Sequence, residues 1–240
     1  MRCTYFKIFV FFTTMVILNG CLYPESELAK NQSPYEDQLN MVQTAVEQYS
    51  EETGGLMPIK TKSNDTDIFE KYLIDFEKLK ERNLLSELPG NAYENGGVYQ
   101  YTIITPEDNP RVKLIDLRNT EELRSAVIRL ETYRSKNIYP PFGEKIDENV
   151  FKIDYEKLGF NSEPQIQSPF SGENLPIIMD TDGNLYIDYR IDLNNFLNEY
   201  EHSYTTGDDI RYILPDHSPF VPAYSLPYTI ENNEPVFLTH

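Results

Sequence analysis

The sequence predicts an α+β fold: two related helix-plus-antiparallel-hairpin modules forming one compact domain, with short edge strands at the C-terminus. Three observations predict it. Two stretches carry apolar residues at helical spacing. Each is followed by paired runs of β-branched and aromatic residues around turn dipeptides. An eight-residue segment of the first half also returns almost unchanged in the second. The boundaries that follow are 1–20, 21–32, 33–118, 119–191 and 192–240.

Residues 1–20 read as a secretory signal. Arg2 and Lys7 give a cationic start, Ile8 to Leu18 is nearly all apolar, and Gly20 precedes Cys21. The apolar run is too short to span a bilayer, which needs roughly 20 residues. Leu18-Asn19-Gly20-Cys21 resembles the lipobox of bacterial lipoproteins. The resemblance implies cleavage between Gly20 and Cys21, diacylglycerol (with palmitate-type acyl chains) on the Cys21 sulfur, and display on the outer face of the cell membrane. Two acyl chains on one residue anchor stably where one binds only marginally. The other cysteine, Cys3, leaves with the signal, so no disulfide is expected.

Residues 21–32 are polar and read as a tether. A helix is expected from Ser33, with Pro34 at its first position and Glu36 completing a capping box. Leu39, Val42, Val46 and Tyr49 mark its buried face, and Gly54-Gly55 its stop. In the second module Asn119 and Glu122 form the cap pair, and Leu123, Val127, Leu130 and Tyr133 the stripe. A proline follows both helices, at Pro58 and Pro140. Tyr72 to Leu79 then matches Phe151 to Leu158 at five of eight positions, and each is read as a short helix. Hairpins close the modules: 98–105 with 111–117 around Pro106 to Pro110, and 175–180 with 185–191 around Asp182-Gly183. In the tail, 192–202 is expected to be helical. Residues 210–214, 220–224, 228–230 and 236–238 are expected to be short proline-separated edge strands.

Charge narrows the partners. The signal contains two basic residues and no acid, so the rest carries 39 acidic against 19 basic residues. That field repels nucleic acid and anionic lipid. Each candidate for chemistry competes with a plainer role. Asp180-Thr181-Asp182-Gly183-Asn184 suggests a calcium loop, but glycine is absent at position six (Leu185) and an acid at twelve (Ile191), so a hairpin turn is expected. Glu199 and His202 share a helix face at i, i+3, yet only His217 and His240 remain as further histidines, so no metal site is expected. Ser203 beside His202 and Ser218 beside His217 do not define a triad, and no nucleophile elbow or phosphate loop exists. No catalytic residue and no cofactor is assigned. Tyrosine abundance is the one hint of recognition: Tyr99 with Tyr101, and Tyr186 with Tyr189, could present rings to a glycan or peptide, or simply fill the core.

Ala45-Val46-Glu47-Gln48-Tyr49 followed by Pro58 is similar to the helix-to-head junction of type IV pilins and pseudopilins. The chain lacks their cleavage site and hydrophobic helix. As a whole it resembles the uncharacterised envelope lipoproteins of bacillus-type Gram-positive bacteria. That resemblance implies a cell-envelope location and brings no active site to transfer. With no catalytic signature in the residues, the first reading is an extracytoplasmic, membrane-anchored, non-enzymatic binding or scaffold module, with an envelope protein or glycan as partner. The alternative is the solute-binding lipoprotein of an ABC importer; an envelope hydrolase ranks third.

Overall fold

The computed structural model describes residues 25–118 and 120–238, so Gly20, Cys21, Asn119 and His240 lie outside the described residues. Among the described residues no helix is long and apolar enough to cross a membrane. The chain divides into two compact units, Met1–Gln38 and Leu39–His240. Of the first, residues 25–38 are described, and all are helical.

The fold is α+β. Helix α1 spans Glu25–Thr53, so it begins well before the expected Ser33 cap and takes in residues 25–32, read above as a tether. Glu, Leu, Ala and Lys in that stretch are strong helix formers, and Pro34 is carried inside the helix at the loss of one backbone bond. Val42, Ala45, Val46 and Tyr49 form its buried face. Gly54 and Gly55, both at positive φ, end it, with the Gly55 N–H donating to Ser50 O at 2.8 Å.

Two short helices follow, α2 (Ile68–Lys71) and α3 (Phe76–Glu81), each started by an aspartate that accepts a backbone N–H: Asp67 from Phe69 and Asp75 from Glu77. Strands β1 (Tyr99–Ile104) and β2 (Arg111–Asp116) form the first hairpin in the expected place. Its sheet is extended by Leu73 against Thr102 and Ile74 against Ile59. The free edge of β2 is covered. The Gln43 amide bridges Val112 N–H and Pro110 O, and Leu114 pairs with the chain at Phe220.

Helix α4 (Thr120–Arg134) buries Leu123, Ala126 and Leu130. It packs on a four-stranded antiparallel sheet of order β3-β4-β7-β8, made of Phe142–Asp147, Val150–Ile153, Ile177–Asp180 and Leu185–Ile187. Strands β5 (Ile166–Gln167) and β6 (Asn174–Leu175) pair separately. The expected helix at 151–158 is not formed. Phe151 to Ile153 belong to β4, and Asp154 opens a single turn that Gly159, at φ 72°, terminates. The first segment has Lys80 at the position of Gly159 and continues as a helix. The surrounding bonds nevertheless correspond: Asp75 N–H donates to Pro58 O at 2.8 Å, and Asp154 N–H to Pro141 O at 2.9 Å.

Helix α5 spans Arg190–Glu199. The expected strand at 210–214 is instead a 3-10 turn (Ile210–Tyr212) running into α6 (Ile213–His217). Its buried residues Ile210, Ile213 and Leu214 follow helical spacing, and Asp209 caps the start by accepting the Arg211 N–H. Residues 220–224 form a strap, bridged at Phe220 and turning at Ala223-Tyr224, in place of the expected strand. Strands β9 (Tyr228–Glu231) and β10 (Glu234–Phe237) are a hairpin closed by Asn232-Asn233, both at positive φ. Pro235 lies opposite Ile230, a non-hydrogen-bonded position of this two-stranded pair, where a missing donor costs no ladder bond. The tail is part of the core: Tyr228, Ile230 and Phe237 pack with α4 and the four-stranded sheet. Val221 and Ala223 pack with Phe69, Leu73, Ile104 and Ile115.

Candidate binding groove

Tyr224, at the end of the strap, lines a groove of about 660 Å³. Its floor is apolar: Leu117 from the end of the first hairpin, Leu123 and Val127 from α4, Leu185 from β8, and Tyr224 from the strap. Gln100, Thr120, Glu121 and Arg124 supply the polar rim, and Tyr93 stands at the mouth, 61% exposed. Apolar floors with few polar groups at the margin are the usual make-up of ligand sites.

Tyr93 opens a 3-10 turn (Tyr93–Asn95) that the sequence builds tightly. Tyr101 reaches up from β1 and donates its hydroxyl to Asn91 Oδ1 at 2.6 Å. Gly97 returns so close to Asn91 that a Cβ would fall 2.1 Å from its carbonyl. Tyr224 is held differently. Its φ is 57°, a left-handed conformation that costs an aromatic residue about 1–3 kcal/mol. Two bonds impose it: its N–H donates to Glu70 Oε1 at 2.8 Å, and its carbonyl accepts the Ile187 N–H at 2.7 Å. Burial raises the Glu70 carboxyl above its usual range, offset in part by that N–H, while burial pushes the Tyr224 hydroxyl up to about 12.

The tyrosines singled out in the sequence serve elsewhere. Tyr99 and Tyr101 are buried, so they are core residues and not a recognition face. Tyr189 is buried with its hydroxyl on Ala223 O at 3.2 Å, and half-buried Tyr186 donates to Asp180 Oδ2 at 3.1 Å. Among the described residues the exposed rings are Tyr93 and Tyr139, at 61% and 75%. The signal that could have found Tyr93 is its place in Asn91-Ala92-Tyr93-Glu94-Asn95-Gly96-Gly97, a turn-forming run.

The remaining candidates resolve into local roles. Asp180 takes the N–H groups of Asp182 and Asn184 on Oδ1 and the Asn184 amide on Oδ2, the bonding of a hairpin turn. Glu199 ends α5 and Tyr200 is already extended, so Glu199 and His202 do not share a helix face. His217 stacks on Tyr200 at 3.6 Å, His202 lies beside the Tyr204 ring, and Ser218 Oγ accepts the Phe220 N–H. Among the described residues no group of three His, Cys, Asp or Glu converges to hold a metal.

What this defines is an α+β module with a shallow groove between a helix, two hairpins and a strap. Residues 35–116, from α1 to the last residue of β2, are similar to the YphF family N-terminal domain. No curated protein and no solved structure matches the chain.

Proposed function

We propose that the chain is a non-enzymatic binding or scaffold module of the cell envelope, anchored by acylated Cys21 on the outer face of the membrane. The groove would take an envelope protein or glycan. The observation that carries this reading is the left-handed Tyr224: backbone strain fixed by Glu70 and Ile187 at the floor of an apolar groove is what a preformed recognition surface requires. The leader and the acidic composition support the location. The matched Asp75–Pro58 and Asp154–Pro141 bonds support reading 33–118 and 119–191 as duplicated modules. A receptor of the importer type would be built from parallel βαβ lobes, whereas the named strands pair antiparallel; we place it second.

Two experiments test the reading. Cys21→Ala should release the protein from the membrane fraction; retention there overturns the anchor. A photo-crosslinking residue at position 93 in intact cells should give an adduct that Val127→Arg abolishes, and one at Glu148 should give none. Equal labelling from both positions overturns the groove.

A further inference from the structure

The loop from α4 to β3 carries the most exposed apolar pair in the described chain, Ile138 at 89% and Tyr139 at 75%. We infer that this loop is a membrane-contacting tip that sets the orientation of the anchored protein on the lipid surface; the inference rests on the lipid-anchor reading above. Both side chains stand clear of the protein, so they are free to enter a soft apolar layer. It combines a branched aliphatic chain with a tyrosine, whose ring and hydroxyl match the boundary between acyl chains and headgroups. Pro140 follows directly and brings no N–H donor into that layer. The Asn137 side chain turns back to donate to Tyr133 O at 2.8 Å. Arg134 and Lys136 flank the tip, exposed and without a salt bridge to any described residue. Each can reach a lipid phosphate while its stem lies along the apolar layer.

The tip is also braced. Gly183 of the β7–β8 turn approaches so closely that a Cβ there would lie 3.0 Å from both Pro140 and the Arg134 guanidinium. Two side chains cannot hold a soluble protein to a bilayer, since even one myristoyl chain binds marginally. With the chain already tethered, the second contact is intramolecular and needs little intrinsic affinity. The chain that remains after cleavage, with 39 acidic against 19 basic residues, opposes anionic lipid, so apolar burial must drive the contact.

The chain has no tryptophan, so Tyr139→Trp creates a single reporter. The full chain purified from membranes is reconstituted in phosphatidylcholine vesicles, with intact mass read at Cys21. If the mass shows no acyl chains, the anchor reading fails. The Cys21 thiol is then coupled to a maleimide-headgroup lipid and the tip is tested all the same. The expected result is blue-shifted emission from the tryptophan at position 139, quenched by lipids brominated high in the acyl chain, with quenching reduced by Ile138→Ser. A reporter made instead by Tyr93→Trp should stay unquenched. Tip-reporter emission that keeps its water-exposed wavelength in the vesicles overturns the proposal. So does a shift seen only on adding envelope extract, which would assign the tip to a protein partner.

Discussion

Gly97 has no space for a methyl group, because its Cβ would meet the Asn91 carbonyl at 2.1 Å. Gly97→Ala must move the turn that carries Tyr93. It should destabilise the protein by about 1–3 kcal/mol in urea unfolding and weaken crosslinking from position 93. Arg211 is buried and forks across Asp209 while also reaching Asp67 and Ser225. Arg211→Ala strands two carboxylates and should cost about 3–5 kcal/mol, read as a lowered urea midpoint. Two further groups leave opposite marks on stability against pH. Burial raises Glu70, so its folded form holds a proton longer than its unfolded form. Its contribution falls as pH rises from the ordinary carboxylate range through the raised value. Glu70→Gln should therefore gain stability relative to the parent as pH climbs toward neutrality. Burial lowers Lys113 to about 8, so its contribution rises with pH from about 8 up to the ordinary lysine range. Lys113→Met should remove that alkaline gain in a pH series of thermal melts.

At the scale of elements, local chemistry is readable where side chain and backbone agree. The apolar spacing in α4 and the turn residues of the first hairpin put those elements where the sequence predicts them, whereas α1 starts earlier than Ser33 and the last strand of the second hairpin stops at Ile187, short of the expected 191. The β9–β10 turn is a two-residue loop with both residues at positive φ, for which Asn-Gly is the favoured pair. Asn233→Gly should be neutral or stabilising by up to about 1 kcal/mol, measured by thermal unfolding. Sequence and structure part where near-identical segments meet different followers. Ile-Asp-Tyr-Glu-Lys-Leu ends at Gly159 and makes one turn, whereas Ile-Asp-Phe-Glu-Lys-Leu continues into Lys80 and makes a helix. The β-branched and aromatic content of Ile210 to Leu214 predicts a strand, but the Asp209 cap and helical burial spacing decide otherwise. One local device is visible only in the structure: Asp-x-Arg at 116–118, 188–190 and 209–211 forms the same fork each time. The arginine Nε lies about 3.0 Å from the carboxylate, whose Oδ1 also accepts the arginine backbone N–H.

For the whole molecule, the tail from residue 192 is structural. Ile210, Leu214, Tyr228 and Phe237 belong to the main core, and the strap at 221–224 packs on the first hairpin and supplies the groove floor. Deleting 203–240 should abolish cooperative unfolding and expose apolar surface to a hydrophobic dye, instead of leaving a stable 33–191 fragment. The groove itself is not legible in the sequence. Tyr93, Leu117, Val127, Leu185 and Tyr224 are far apart in the chain, and no motif links them.

By itself the sequence determined the acidic composition, the α+β class and the two main helix stripes, because these depend on local composition and periodicity. The tertiary structure alone decided which tyrosines face solvent, that the tail closes the core, and that a strained tyrosine lines the groove. Each of those depends on long-range bonds, such as Glu70 to Tyr224 and Gln43 to Val112, which residue spacing does not encode.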